Sequence, residues 1–425
     1  MAAISSAPRQ GGFFPARLRW PVGLAAAAVL FYLFYAFIEP NLSDDAQTVF
    51  RDWLPLTSIN EAMVWIICAL GLNIVVGYAG LLDLGFVAFW AIGGYTAGWL
   101  MSSFGFDLPW LHVHILSPVP HTQPGIHLTF WAVLIVGAGL CAFFGVLIGA
   151  PTLRLRSDYL ALVTLGFGEI IPQVFTNGEN FFGINLSNGT KGITPLDPIR
   201  GAAIDPSQPV GIRNLGPFDL LSKYVIFVVI AAVIVFISLR LREGRLGRAW
   251  LAIREDELAA SSMGVPLMKT KLAAYGVGAI AGGLGGVAFA THVNGVLPDR
   301  FNFSISITLL AMVVLGGMGN VWGVLLGALV LAWFNSTGLP QFGDTFNSTF
   351  GTHLNFPSYN YGIFGAVLVL MMLFRREGLL PETRTRLVLR EPERTDMESL
   401  GADMEDQAPE LEELDSVGVD PGSKP

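Results

Sequence analysis

The run KYVIFVVIAAVIVFISL (223–239), RLREGRLGRAWLAIREDELAASSMGVPLMKTK (240–271), LAAYGVGAIAGGLGGVAFAT (272–291) decides the fold class. Its outer blocks are apolar apart from the leading Lys223. Each approaches the about 20 residues that, at a rise of about 1.5 Å, cross roughly 30 Å of hydrocarbon. Between them stand Arg240, Arg242, Arg245, Arg248, Arg254, Lys269 and Lys271. Lys and Arg gather in loops that stay cytoplasmic, so the run reads as two membrane spans joined by an inner loop.

Eight further segments qualify or come close: 21–38, 59–77, 81–101, 129–149, 159–175, 305–316, 318–334 and 359–374. Composition agrees. The 425 residues are 52% hydrophobic and 14% charged, with mean hydropathy +0.56, whereas soluble domains carry about 25% charged residues. A net charge of -8 would suggest an acidic protein, but residues 390–425 hold twelve Asp/Glu against Arg390, Arg394 and Lys424, leaving +1 for the rest. Cys68 and Cys141 each lie in an apolar run and read as packed thiols, without a disulfide framework. Arg9, Arg17 and Arg19 precede the first apolar run, yet no small-x-small cleavage site follows it, so an uncleaved first span is expected.

Loops 102–128 and 335–358 contain no Lys or Arg and are placed outside, whereas the N-terminus, the 150–158 turn and the Arg375–Arg386 region are placed inside. The expected fold is therefore an all-α polytopic membrane protein of about ten transmembrane or re-entrant helices with both termini cytoplasmic. Residues 1–20 form an inner N-terminal segment and 21–381 the membrane domain, with inner loop 240–271 and outer loop 177–222. Residues 382–425 form an acidic, disordered inner tail that cannot bury enough apolar surface to offset its ordering. Segments 81–101 and 305–334 are Gly-rich, and full spans or re-entrant helices fit them equally.

Two carboxylates stand in or beside apolar runs, Asp83 in GYAGLLDLGF and Glu169 in LVTLGFGEIIPQVF. An ionised carboxylate facing lipid costs roughly 3 kcal/mol or more, so each should meet protein, water or the membrane boundary. Pro172 removes a helix donor and Gly166 with Gly168 loosens the same turn, so a broken helix beside a translocation path is one reading. A carboxylate held by a backbone donor without a transport role is the other. Gly85 beside Asp83, and Gly316, Gly317 and Gly319 in MVVLGGMGN, complete the path candidates.

Glycines at four-residue spacing (94/98, 145/149, 278/282/286, 319/323/327) let helices approach closely, and packing within one subunit explains most of them. His112, His114, His121 and His127 share one outer loop, no Asp, Glu or Cys from 108 to 127 joins them, and they read as solvated, not as a metal site. No phosphate loop, complete G-x-G-x-x-G, G-x-S-x-G or H-E-x-x-H is present, so no catalytic residues, metal or bound cofactor are expected in this chain.

In the inner loop, Trp250, Leu251, Ile253, Leu258 and Met263 recur amid Arg254, Glu255, Asp256 and Glu257, as in one short amphipathic helix ending near Gly264 and Pro266. Glu257-Leu258-Ala259-Ala260 followed by Gly264 resembles the E-x-A-A-x-x-x-G element with which ABC importer permeases dock on their ATPases. The blocks GYAGLLDLGFVAFWAIGGYTAG (77–98), RLRSDYLALVTLGFGEII (154–171), SNGTKGI (187–193), LGRAWLAIREDELAASSMG (246–264), MVVLGGMGN (312–320) and LVLMMLFRREGLLP (368–381) resemble, in order, the LivM-type permease of branched-chain amino acid ABC importers. Pro172, Asn188 and Arg376 depart from that pattern.

This resemblance implies a LivH-type second permease, two ATPase subunits using ATP and Mg, and an extracytoplasmic substrate-binding protein, in the bacterial inner membrane with lipid around it and no nucleic acid. It also implies that Arg248, Arg254, Glu257, Ala259, Ala260 and Gly264 form the coupling loop. Asp83, where related urea and short-amide permeases usually carry Ser, tilts the cargo toward leucine, isoleucine and valine. A permease for urea, short amides or other amino acids is the alternative. A stand-alone secondary carrier would need several paired intramembrane carboxylates, and a membrane scaffold would leave the docking pattern unexplained.

Overall fold

The computed structural model describes residues 19–105, 112–115, 124–155, 157–180, 183–199, 220–351, 353, 355–375 and 377–380. The acidic tail, most of the N-terminal segment, His121, Arg156 and Arg376 lie outside the described residues.

Among the described residues, nine helical stretches are long and apolar enough to cross a bilayer: Gly23–Asn41, Asp44–Tyr78, Phe130–Thr152, Tyr159–Thr176, Leu220–Glu243, Leu267–Val293, Pro298–Gly316, Val321–Phe350 and Phe356–Phe374. In chain order the α-helices are α1 (Arg19–Leu33), α2 (Asp44–Trp53), α3 (Leu56–Leu72), α4 (Val87–Leu100), α5 (Phe130–Thr152), α6 (Ser157–Thr176) and α7 (Leu220–Glu243). They continue as α8 (Arg245–Glu255), α9 (Glu257–Ser262), α10 (Leu267–Val293), α11 (Phe303–Gly316), α12 (Val321–Trp333), α13 (Leu339–Phe350) and α14 (Asn360–Phe374). The protein is an all-α polytopic membrane protein.

The segment expected at 81–101 holds a shorter helix, α4, which is not among those nine. Helix α4 has 14 residues and spans only about 21 Å. The chain leading into it, 79–86, is non-helical and mostly buried within the protein. Irregular backbone at membrane depth is tolerated only when protein satisfies it. Here Leu84 N–H donates to Thr164 Oγ1 at 3.1 Å and Val87 N–H to Ser306 Oγ at 3.1 Å. In the 305–334 region, α11 and α12 are separate helices joined by the tight turn 317–320.

Helix α10 is the centre, packed against α3, α4 and α5. Its glycines make this possible. A Cβ on Gly278 would lie 3.1 Å from the Gly71 carbonyl oxygen, and one on Gly283 would lie 2.6 Å from Cys141 Sγ. The four-residue glycine spacing thus serves packing inside one chain: Gly94 meets Phe301, Gly98 meets Ile193, and Gly145 and Gly149 meet Ala279 and Tyr275 of α10. Both cysteines are free and buried. Large aliphatic side chains point outward on α5 and α7, among them Ile135, Leu147, Val229 and Val233, as expected of a belt that meets lipid rather than water.

Two loops differ from expectation. The stretch 335–358 is mostly helix, because α12 continues through a π-turn into α13. Gln341 Nε2 of α13 and Trp333 Nε1 then bond to the Asp52 and Trp53 carbonyls at the end of α2, at 3.2 and 2.8 Å. The histidine-bearing loop is partly a three-stranded sheet, in the order β1 (Met101–Ser102), β3 (Gly125–Leu128), β2 (His112–Ile115). His127 is not solvated. It is buried, with Nδ1 2.8 Å from Asp197 Oδ2 and Nε2 3.1 Å from the Pro124 carbonyl, and His114 stacks on it. Burial pushes the Asp197 carboxyl above its usual range, while the bond to His127 pulls the other way. Sequence proximity could not reveal a partner 70 residues away.

Candidate functional site

The inner loop is two helices rather than one. Asp256, extended at φ −154° and ψ 112°, separates α8 from α9. Its carboxylate accepts from the Leu258 and Ala259 N–H groups at 2.8 and 2.9 Å. It is therefore the N-cap of α9, satisfying donors that a helix start leaves unpaired. Gly264 closes the element at φ +83°, in the left-handed region where glycine carries no Cβ penalty.

This corner is fastened to the membrane domain from below. Trp250 is fully buried, donates from Nε1 to the Thr270 carbonyl at 2.7 Å, and stacks with Tyr78 at 6.5 Å between centroids. The Arg254 guanidinium donates to the Gly77 carbonyl, and its stem lies against Gly80. Arg254, expected among docking residues, is thus a strut between α8 and the end of α3. Lys271, itself buried, pairs with Glu257, whose side chain is half exposed. Ala260 is buried, whereas Arg248 and Ala259 are exposed. The apolar set splits accordingly, with Trp250 and Ile253 inside and Leu258 and Met263 77% and 85% exposed. A single amphipathic face would have buried all four.

Replacing Arg254 by alanine is expected to leave membrane insertion unchanged while loosening this corner. A hydrogen bond from a charged group contributes about 1.5–3 kcal/mol at most, less where water reaches it. Amide hydrogen exchange over 256–264 should rise, and unchanged protection there would refute the strut.

The path candidates fall in two places. Asp83 is buried, its Oδ1 accepts from the Gly85 N–H at 2.9 Å, and it interacts with Tyr275 of α10. Gly85 presses on the backbone of α6, and a Cβ added to Gly168 would lie 3.1 Å from the Gly85 Cα. Gly85 and Gly168 therefore let the non-helical lead into α4 pack closely on α6. Glu169 stands on the opposite side of α6, exposed beside Leu162 and Ile170. The broken helix expected at Gly166–Pro172 is absent, since α6 runs unbroken through Pro172. The Thr176 hydroxyl also donates to the Pro172 carbonyl at 3.0 Å, one turn further along the same helix.

Gly316, Gly317 and Gly319 form a packing node at the other turn. The Gly319 N–H donates to Asn73 Oδ1 at 2.9 Å. Leu379 and Leu380 N–H donate to the Leu315 and Gly316 carbonyls at 2.8 and 3.2 Å. Asn320 Nδ2 returns a bond to the Leu380 carbonyl at 3.1 Å. Gly317 at φ +114° would bring a Cβ into the Leu380 carbonyl. These backbone pairings give the block 368–381 its place beside 312–320.

A bundle of membrane helices around α10, with a short buried helix α4 against it and an anchored, solvent-facing helical corner, defines a polytopic membrane protein. The family model described as branched-chain amino acid transport system, permease component, matches residues 54–372. This chain belongs to that family. It is 35% identical over 345 residues to the high-affinity branched-chain amino acid transport system permease protein LivM of Salmonella typhimurium, covering 77% of this chain and 70% of that one. The Escherichia coli protein of the same name matches at the same identity and coverage. The probable branched-chain amino acid transport permease LivM of Methanocaldococcus jannaschii is 24% identical over 340 residues, 76% of this chain and 93% of that one. No solved structure matches the chain. The protein is a multi-pass permease of the bacterial inner membrane.

Proposed function

We propose that this permease is the non-catalytic translocation subunit of an ATP-driven importer for leucine, isoleucine and valine. It works with a LivH-type second permease, two ATPase subunits that hydrolyse ATP with Mg, and an extracytoplasmic binding protein. The observation that carries the reading is the rigid corner at α9, which holds Leu258 and Met263 out into solvent. Exposed apolar residues on an anchored helix suit insertion into a partner's groove. The names of the relatives support the cargo.

Purifying the complex with a tag on this chain should bring down two ATPase copies and a second permease, and proteoliposomes containing it should take up leucine only with binding protein and ATP. Leucine uptake by this chain alone, without ATPases, would instead establish a stand-alone carrier.

Glu169 lies within a candidate span on an exposed face of α6 that also carries Leu162, Ile170 and Gln173. An ionised carboxylate cannot be left in lipid at a cost of roughly 3 kcal/mol. This face therefore meets the second permease or the water-filled path between the two. Glu169→Gln is expected to lower the uptake rate severalfold with normal assembly, and an unchanged rate would remove Glu169 from the path.

A further inference from the structure

We propose that the cavity walled by Glu61, Trp65, Trp90, Arg300 and Phe364 is a receiving site for a zwitterionic amino acid with a short apolar side chain. The inference rests on the cargo proposed above and adds where in this chain that cargo is first held. The cavity has a volume of about 370 Å³, within the range of small-molecule sites.

Its walls combine charged groups, Glu61, Asp299 and Arg300, with the amides of Asn302, Asn335 and Asn360 and with aromatic rings. Glu61 sits one turn before Trp65 on α3, and the Trp65 indole donates to its carboxylate at 3.2 Å. This carboxylate lies inside a membrane span, where an ionisable side chain is costly and is retained for a function. Arg300, exposed in the turn Pro298–Arg300, stands within Coulombic reach of Glu61 and also lines the cavity. The apolar wall is a set of edge-to-face aromatics, with Trp65 and Phe289 each 4.9 Å from Trp90 between ring centroids.

Trp90 belongs to the apolar wall and is fully buried. A carboxylate for an ammonium, a guanidinium for a carboxylate, and aromatic side chains for a branched side chain together match an amino acid such as leucine.

The cavity's place in the bundle suits a receiving site. The far end of the helical stretch bearing Glu61 is Gly77, whose carbonyl is held by Arg254 of the coupling corner. Glu61 lies about 24 Å along that stretch from Gly77, so the cavity is at the opposite side of the membrane from the corner. Cargo released by a binding protein outside would meet this site before crossing.

The test uses the complete transporter purified without its binding protein, in lipid nanodiscs, titrated with radiolabelled L-leucine. Saturable binding is expected. It should be competed at least about tenfold less well by 4-methylpentanoate, which lacks the ammonium, and by 3-methylbutylamine, which lacks the carboxylate. Glu61→Gln and Arg300→Gln should each weaken leucine binding by at least about tenfold and slow uptake; Arg300 is exposed, so its replacement tests the site without threatening the fold. If wild-type complex imports leucine while showing no saturable binding, or binding that neither substitution changes, the site is overturned and the importer assignment stands. If wild-type complex imports no branched-chain amino acid at all, the importer assignment itself fails, and the amino acid assignment of the cavity with it.

Discussion

Replacing Gly286 by leucine is expected to remove almost all folded protein from the membrane. A Cβ at this position would collide with the Trp90 carbonyl oxygen and sit 2.7 Å from the Gly94 amide nitrogen, before any further side-chain atom is added. Overpacking an ordinary core costs about 1–3 kcal/mol because side chains can shift. Here the obstacle is the main chain of α4, which cannot move without disturbing the central helix on its other contacts with α3 and α5. Folded yield in mild detergent should therefore fall by at least about tenfold, the equivalent of 1.4 kcal/mol. Gly139→Leu on α5 is the control, since nothing lies within 4 Å of its added Cβ. Equal yields for the two variants would contradict the close α4–α10 contact.

The second large effect belongs to the coupling corner. Exchanging both Leu258 and Met263 for aspartate should leave insertion and stability intact, because both side chains stand in solvent. Docked into an ATPase groove, however, each would bury an apolar surface, and interface anchors of this kind contribute about 2 kcal/mol or more, roughly thirtyfold in affinity. The double variant is expected to lose co-purifying ATPase and ATP-driven uptake together. Gly264→Val tests the backbone alone: its Cβ meets no atom within 4 Å, but φ +83° is strained for any β-branched residue. That variant should keep its place in the membrane and couple poorly. Normal uptake by the double variant would show that the ATPases dock elsewhere.

Much of the architecture was legible in the sequence for a plain reason. Lipid offers backbone groups no hydrogen-bond partner, so apolar runs near 20 residues can only be helices, and the pattern of runs alone gives the class. The end of the inner-loop helix near Gly264 was legible too, because glycine there is a local stop signal, whereas the break at Asp256 was not read from the sequence. What fell outside this reach was every decision made by a distant partner. The family resemblance grouped Arg254 with the coupling loop, and only the fold shows its guanidinium bonded to the Gly77 carbonyl, 177 residues earlier. The glycines at 316–319 were path candidates, and only the fold shows the chain at 377–380 packed against them. Pro172 signalled a broken helix, yet α6 continues through it.

Sequence by itself determined, then, the membrane class, most of the helical runs and the stop at Gly264, because the bilayer and a helix end act on neighbours along the chain. Tertiary structure alone decided that 87–100 is a half-length helix with a buried non-helical lead, that His127 is paired with Asp197, and that Glu61, Trp90 and Arg300 share one cavity. Those outcomes depend on contacts between residues far apart in sequence, and no local periodicity encodes which of several apolar helices will supply them.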